Sequence, residues 1–529
     1  MKRTTVLWIT ALVLGWLFDF LFWKQAPGVN YAIYVVLCLA GGFLVLELNG
    51  NKPSWRSLLL LVPILFFAAT IFVRAEPMSM FLGGAFSLGL MGVLAAGYLG
   101  GRWLWYSLAD YVVNLVRLAG SMLARPLSFL AETRKQAQAE GSPTGSRSGW
   151  KRFWAILRGV LIALPILAIF AALLSSADLI FAQRLSDFTK LFRLEKLPEY
   201  IFRCFYILVG AYLLAGVILH AAQKSQDEKL IGVEKPLVPP FLGFTEAAVV
   251  LGAVVALFGI FVVIQFQYFF GGSTNISVQG FSYSEFARRG FGELVTVAFF
   301  SLLLFLGLSG VVKRQGSAQR WGFSGLGLAM VALVGVILLS AFQRLVLYEA
   351  AYGFSRLRAY THVFMVWLGL LLAVVVVLDI LRRERLFALA ALLASIGFGV
   401  TLTCLNVDAF IVRQNVQRAA AGEELDVAYL ASLSTDSVPA LVNALQDQAL
   451  PAGTREAVGA ALVCRTKTNT GPQNAGWRSF TLTRWLAGKA LAGVESTLDN
   501  YSIHEDNRSL LQVESPGGVF YDCWSSGMD

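Results

Sequence analysis

The strongest constraint on this chain is a series of apolar runs, each about as long as a membrane-crossing helix. About 20 apolar residues cross the ~30 Å hydrocarbon core of a bilayer as a helix. None of the runs alternates apolar and polar residues with period two, so we predict membrane-spanning helices rather than a β-barrel. The eleven runs lie near residues 5–23, 31–49, 57–74, 80–100, 154–176, 198–221, 243–270, 291–312, 322–343, 361–381 and 386–405.

Composition supports a membrane protein and excludes several other classes. Hydrophobic residues make up 57% of the chain and charged residues only 14%, whereas soluble domains are about 25% charged. An ordinary soluble enzyme and a disordered protein are therefore excluded. The net charge of +10 does not make the chain a nucleic-acid binder, because so few of its residues are charged.

Loop charges predict the orientation in the membrane. The loops on the side of the N-terminus carry 21 Lys and Arg, and the opposite loops carry 11. By the positive-inside rule the N-terminus is cytoplasmic, and eleven crossings place the C-terminus outside. Lys2 and Arg3 resemble the start of a signal peptide, but the apolar run continues to Trp23 without a cleavage site, so we predict a retained span. The predicted location is the cytoplasmic (plasma) membrane, which the chain crosses several times.

Four regions follow from this pattern, and the predicted fold class is an all-α polytopic bundle. Residues 1–101 hold spans one to four, and residues 153–405 hold spans five to eleven. Between them, residues 102–152 form an amphipathic helix on the cytoplasmic surface and then a flexible basic linker over 133–150. Residues 406–529 form a small helical extracytoplasmic domain, the tail. We expect the last span to continue as a helix to residue 420 and the chain after Asp499 to be irregular.

Three segments predicted on the outer side are unusually polar for their position. They occupy residues 280–295, 348–360 and 406–415. In the second, tyrosines and an arginine recur every four residues, which predicts one face of a helix. The candidate site residues are Tyr283, Glu285, Arg288, Arg289, Glu349, Tyr352, Arg356, Arg358, Asp408, Arg413 and Asn415.

These residues have two interpretations. In the first, the arginines bind a phosphate or carboxylate, because guanidinium matches those groups bidentately, and Glu285, Glu349 or Asp408 acts as a general base. In the second, the charges pair with each other, since ionisable groups near lipid are costly to leave alone, and the tyrosines anchor the helices at the interface. The sequence leaves both open.

Other chemistry has little support in the sequence. His220, His362 and His504 lie too far apart to predict a metal or haem site, and no phosphate-binding loop is present. We therefore predict no cofactor and no metal. Cys464 and Cys523 both fall in the predicted extracytoplasmic tail, where a disulfide persists if the two meet, but the sequence does not fix their separation.

The polar segments also resemble known families. YSEFARRGFGELV (283–295), YEAAYGFSRLR (348–358), NVDAFIVRQN (406–415), LDVAYLASLSTDSVPAL (425–441) and WRSFTLTRW (477–485) together resemble the bacterial polytopic proteins grouped as domain of unknown function 4173. The pattern Glu-x-x-Tyr-Gly-x-Ser-x-x-Arg at 349–358 is also similar to the related group numbered 4153. The resemblance covers roughly residues 240–485. It implies a bacterial integral membrane protein with an outward tail, and no reaction.

The predicted function is an envelope scaffold or recognition protein that binds a protein partner or a lipid headgroup at the outer membrane face. The partners are then the bilayer, anionic headgroups or an envelope protein, and not nucleic acid. A membrane-embedded enzyme acting on an anionic or lipid-linked substrate is the alternative. A transporter would need a polar cavity near the midplane and inverted repeats, and no internal repeat is evident.

Overall fold

We describe the protein from a computed structural model. Four of the predicted site residues, Tyr283, Glu285, Arg288 and Arg289, lie outside the described residues, as do most of the predicted fifth span and residues 140–150 of the predicted linker. The described residues are 3–139, isolated positions between 159 and 184, 197–223, 225, 230, 239–269, 291–314, 316–468, 476–505 and 511–524.

Ten helices among the described residues are long and apolar enough to cross a membrane. They coincide with ten of the eleven predicted runs, and the predicted polytopic all-α fold is confirmed. One of the ten, Trp55–Val73, consists of two shorter helices in sequence. The helices are α1 (Thr4–Phe22), α2 (Val29–Leu48), α3 (Trp55–Leu58), α4 (Leu61–Val73), α5 (Pro77–Ala96), α6 (Leu108–Ala139, not a span), α7 (Leu197–Gln223), α8 (Phe244–Phe269), α9 (Phe291–Val311), α10 (Ser317–Tyr352), α11 (Arg356–Ile380) and α12 (Phe387–Leu405).

The described residues of the tail form six further α-helices and a small sheet. Its strands pair antiparallel in the order β1-β2-β3, with Ile503 opposite Val513 and Val513 opposite Tyr521. The elements are α13 (Val407–Ala420), α14 (Val427–Ser432), α15 (Val438–Gln446), α16 (Ala452–Thr468), α17 (Leu482–Ala492), α18 (Glu495–Leu498), β1 (Ser502–Glu505), β2 (Leu511–Glu514) and β3 (Phe520–Asp522).

Two expected continuous helices are broken by residues with positive φ. Asn406, at φ 52°, separates α12 from α13, and its side chain caps α13 by accepting from Ala409 N. Gly353, at φ 79°, ends α10 three residues before α11 begins. We expected the last span to continue as a helix and residues 348–360 to form one helix face, and both expectations are wrong. The alternation of apolar and polar residues continues across both turns, so the pattern gives no sign of them.

Two other local expectations are also wrong. The chain after Asp499 is not irregular, since it forms three short strands, of which β2 buries Val513 in the tail core. Residues 133–139, expected in a flexible linker, form the last two turns of α6. Their Lys, Gln and Ala side chains are good helix formers, which outweighs the polarity that suggested a loop.

The contact pattern divides the chain into two compact units. In the first, which comprises residues 1–23, 37–52 and 116–225, α1 packs closely on α7. Asp19 of α1 accepts two hydrogen bonds from the guanidinium of Arg203, at 2.9 Å to Nε and 2.5 Å to Nη2, and a third from Tyr206. Arg203 also stacks over the Trp23 ring. Asp19, whose charge is costly in a membrane span, is therefore neutralised by its neighbours.

The second unit comprises residues 24–36, 53–115 and 226–529. Its core of buried apolar side chains lies between α8, α9, α10 and α11. Near one end of this core, Asp379 of α11 binds Arg314 Nη1 at 2.9 Å and Ser324 Oγ at 2.5 Å. The ion pair joins α11 to the residues after α9, and the hydrogen bond from Ser324 joins α11 to α10.

A second apolar core holds the tail. It joins Leu402 of α12 and Ala359 of α11 to buried residues of α13, α15 and α16 and to Val513 of β2. Cys464 of α16 and Cys523, directly after β3, form a disulfide with a Cα–Cα distance of 5.2 Å. The tail core is therefore continuous with the ends of two spans and is closed on its other side by the sheet.

The disulfide predicts the number of reactive thiols. The chain has five cysteines, and Cys38, Cys204 and Cys404 lie outside this disulfide. Denatured protein taken from oxidised membranes should bind three equivalents of a maleimide polymer before reduction and five after it, as counted by gel shift. Five equivalents without reduction would contradict the pairing, and Cys464→Ser should raise the unreduced count to four by freeing Cys523.

Candidate functional site

A buried ion pair joins the start of α11 to the tail. Arg356 Nε and Nη2 donate to Asp408 Oδ1 at 2.8 Å and Oδ2 at 2.7 Å, which is the bidentate arrangement that suits guanidinium and carboxylate. The backbone N–H of Ser434 donates to Asp408 Oδ2 at 2.7 Å. Asp408 is 0% exposed. Both of its oxygens are occupied, so Asp408 is not available as a general base in this arrangement.

The loop between α4 and α5 makes a second buried contact with the tail. Asp436 Oδ2 accepts from the backbone N–H groups of Ala75 at 2.7 Å and Glu76 at 2.8 Å. Arg74 Nη1 lies 3.9 Å from Asp436 Oδ1. We call Arg74, Glu76, Arg356, Asp408, Ser434 and Asp436 the junction cluster.

Glu76 gives the junction cluster a further link to α11. Its carboxylate caps α5 by accepting from Met78 N at 2.8 Å and Ser79 N at 2.7 Å, and Pro77 occupies the first helical position. The Tyr360 hydroxyl of α11 donates to the same carboxylate. The Glu76 side chain therefore caps the start of α5 and also binds α11.

Burial acts against the charge of Asp436. Its pKa is raised by burial, and the hydrogen bonds from Ala75 and Glu76 and the charge of Arg74 oppose that shift. A raised carboxyl pKa means that the folded state holds the proton more tightly than the unfolded chain does. The stability contributed by this group is therefore complete at pH values below its ordinary pKa and is lost as the pH rises through the raised value.

The turn after α10 is held by side chains of α11 and α13. Asn415 Oδ1 accepts from Phe354 N at 2.7 Å, and Asn415 Nδ2 donates to Phe354 O at 2.9 Å. Arg418 donates to the carbonyls of Ala350 and Ala351, and Arg358 donates to those of Tyr352 and Gly353. The last carbonyls of a helix have no partner within it, so these arginines cap α10.

Glu349 and His362 form a different kind of pair. Glu349 of α10 is 2% exposed, and His362 Nδ1 of α11 lies 3.2 Å from Glu349 Oε1. The two atoms are close but not aligned as a hydrogen bond. Among the residues that the structure describes, neither Glu349 Oε1 nor His362 Nε2 has a hydrogen-bond partner. Such unsatisfied buried polar atoms are rare and point to a strained or chemically active position.

The predicted site residues therefore separate into groups. Arg356 and Asp408 meet, Arg358 and Asn415 hold a turn, and Glu349 pairs with His362 rather than with an arginine. Tyr352 is exposed and its ring packs 5.0 Å from that of Tyr348. Arg413 lies on the exposed face of α13.

Sequence reasoning missed four members of the junction cluster: Arg74, Glu76, Ser434 and Asp436. Arg74 and Glu76 lie more than 300 residues before Asp436 along the chain, and no spacing rule connects them. A signal was present for Glu76, since an acidic residue before a proline at the start of an apolar run is a helix N-cap pattern. His362 was not predicted as a site residue because no other histidine is near it in the sequence. Its partner in the structure is the carboxylate of Glu349.

The described residues contain no group of three or more His, Cys, Asp and Glu that could hold a metal ion. The polar side chains at this end of the second unit instead bind one another and the backbone. Arg465 is a further example, since this buried side chain donates to the carbonyls of Ala431 and Leu433. Burial lowers its pKa, and the charges of Asp408 and Asp436 oppose that shift.

The ten long apolar helices define a polytopic helical membrane protein. The family model described as a domain of unknown function, DUF4153, matches residues 61–444, which is more than half of the chain. The chain belongs to this family.

The family match corrects the extent of the expected resemblance. It supports the group numbered 4153, whereas the grouping under 4173 is not confirmed. The match begins within α4 and ends within α15, so it includes the loop that carries Arg74 and Glu76 and excludes residues 477–485. No match was found among curated proteins, and none was found among solved structures.

The two buried aspartates predict losses of stability of different size for the same substitution. Asp408→Asn replaces an accepting oxygen by an amide that faces a guanidinium, and this should lower the free energy of unfolding by about 3–5 kcal/mol. Asp436→Asn can keep its accepting oxygen at the Oδ2 position, so its effect should stay below about 1 kcal/mol. Unfolding in mixed micelles containing a denaturing detergent measures both variants. Equal losses would contradict the geometry described above.

Gly353 predicts a test of the turn. A Cβ there would lie 2.9 Å from Asn415 Oδ1 and 2.8 Å from Arg418 Nη1, and φ is +79°. Gly353→Ala should destabilise the protein by more than the ~1 kcal/mol of left-handed strain alone. Gly422 is a matched control, because φ there is +101° but nothing lies within 4 Å of an added Cβ. If thermal unfolding in detergent gives the same loss for both alanine variants, the contact with α13 is not important.

Proposed function

We propose that this protein is an envelope scaffold of the bacterial cytoplasmic membrane whose tail recognises a protein partner on the outer side. The observation that carries the proposal is the Arg356–Asp408 ion pair. This ion pair and the hydrogen bonds of Asn415 fix the tail on the ends of the spans. The polar side chains there are therefore already engaged. A site for catalysis would need such groups free, whereas a recognition surface benefits from a rigid mount.

The exposed side of the tail offers a surface of suitable chemistry. Phe520 of β3 and Trp524 after it are exposed, and so are Ile503 and Val519. All four residues of β1 are exposed, and β1 is an edge strand of the sheet. Exposed aromatic side chains beside an open strand edge are typical of surfaces that bind proteins. Arg288, Arg289 and Tyr283 are proposed as further contacts.

Recovery of partners from membranes tests this proposal. Proteins cross-linked to the scaffold in intact cells should be recovered at least about tenfold less well from a Phe520→Ser, Trp524→Ser double variant, since loss of two aromatic anchors weakens binding by more than 1.4 kcal/mol. Arg288→Ala with Arg289→Ala should lower recovery further.

The matched control is Trp321→Ser, which removes an equally exposed tryptophan from the first turns of α10, far along the helix from the tail. Its recovery should equal that of the unmodified protein. Unchanged recovery of every associated component in the Phe520 and Trp524 variant would contradict the proposal.

The Glu349–His362 pair supports a second candidate function, an enzyme acting on an anionic or lipid-linked substrate. A buried carboxylate beside an imidazole is a usual acid–base arrangement, and unsatisfied atoms on both groups leave room for a substrate hydrogen bond. Purified protein in vesicles of anionic lipids should then alter those lipids over time, as followed by mass spectrometry, and Glu349→Gln should abolish the change. Lipids that stay intact with the unmodified protein would exclude those lipids as substrates.

A further inference from the structure

The tail carries a strip of exposed aromatic and basic side chains that neither the junction cluster nor the proposed partner surface uses. Trp477 is 59% exposed and Trp485 is 52% exposed, and Phe480 and Leu486 are each 40% exposed. Large apolar side chains are normally buried, so four exposed ones within ten residues indicate a contact with something apolar. We call residues 477–489 the aromatic strip.

The aromatic strip lies level with the ends of two membrane spans. The N–H of Val29, the first residue of α2, donates to Phe480 O at 2.8 Å. Ser479 Oγ lies 3.0 Å from Gln25 Oε1, and a Cβ on Gly28 would meet Phe480 O at 2.6 Å. The backbone of the strip is thus directly against the residues at which α2 begins.

Helix α17 extends the same contact to a second span. It packs against α4, which ends at Val73. Because α2, and α3 together with α4, are long and apolar enough to cross a membrane, we expect the ends of α2 and α4 to mark the boundary between hydrocarbon and headgroups. The position of the strip is therefore set by the spans and not by the polar outer part of the tail.

The exposed face of α17 combines the two chemistries that an interfacial helix needs. Thr483 and Ala487 are buried against the tail, whereas Arg484, Trp485 and Lys489 are exposed. The Lys489 ammonium lies 5.7 Å from the centroid of the Trp485 ring. Tryptophan is enriched at membrane interfaces, and neighbouring cationic groups attract anionic headgroups.

We propose that the aromatic strip lies in the headgroup layer of the membrane and binds anionic phospholipid headgroups through Arg484 and Lys489. Lipid is the occupant because it surrounds the ends of α2 and α4 wherever no protein covers them. The inference does not depend on the proposed protein partner, whose surface is formed by different residues.

Spin-label accessibility tests the position of the strip. A nitroxide is attached at Trp485→Cys in the full chain with Cys38, Cys204 and Cys404 replaced by alanine and the disulfide kept. The protein is reconstituted in phosphatidylcholine vesicles. The label collides with oxygen and with a water-soluble nickel chelate, and the ratio of the two collision rates should be several-fold higher at position 485 than at the matched control Trp524→Cys. The control starts from a tryptophan of 69% exposure.

Two results would overturn the proposal. A label at position 485 that meets the nickel chelate as often as the label at 524 would place the strip in water. A label shielded from both oxygen and the chelate would place it against protein, such as a second copy of the chain.

The charge of the lipid tests the basic part of the proposal. Adding phosphatidylglycerol to the vesicles should raise the oxygen-to-chelate ratio at position 485, because Arg484 and Lys489 draw the strip toward the anionic layer. A variant carrying Arg484→Gln and Lys489→Gln should show no such rise. Equal ratios in both lipids for the chain with both basic residues would exclude recognition of anionic headgroups.

Discussion

The buried ion pair between Arg356 and Asp408 is the interaction on which the arrangement of the tail depends. A carboxylate that is 0% exposed is tolerated only with a charged partner and filled hydrogen bonds. Asp408 has both, from the guanidinium of Arg356 and from the N–H of Ser434. The pair links the start of α11, the first turn of α13 and the chain before α15. The apolar tail core then closes around a fixed polar centre.

This use of charge explains why the polar segments do not form one catalytic pocket in the described part of the chain. Arg356 is occupied by Asp408, and Arg358 and Arg418 are occupied by the carbonyls at the end of α10. Several buried side-chain atoms have no hydrogen-bond partner among the residues described, and those of Glu349 and His362 belong to side chains that lie next to each other. The family match supplies a class of membrane protein and no reaction, so the proposed scaffold rests on what these side chains bind.

Most of the fold could be predicted from the sequence, because lipid imposes one simple requirement. Each span needs about 20 apolar residues, and ten of the predicted runs coincide with apolar helices. The breaks at Gly353 and Asn406 could not be predicted in this way, since one residue of positive φ ends a helix without changing the periodicity. The contact between Asp436 and the backbone of Ala75 could not be predicted either, because it joins residues 361 positions apart. Local patterns carry no information about such pairs.

A double-mutant cycle between Arg356 and Asp408 tests the central claim most directly. Arg356→Met, Asp408→Leu and the combined variant are unfolded in the same mixed micelles. Arg356→Met leaves the Asp408 carboxylate without its charged partner, and Asp408→Leu leaves the Arg356 guanidinium without its own. The combined variant removes both charges at once. The losses should therefore be strongly non-additive, with a coupling free energy of at least about 2 kcal/mol. Additive losses, within about 0.5 kcal/mol, would show that the ion pair does not hold the tail to the membrane spans.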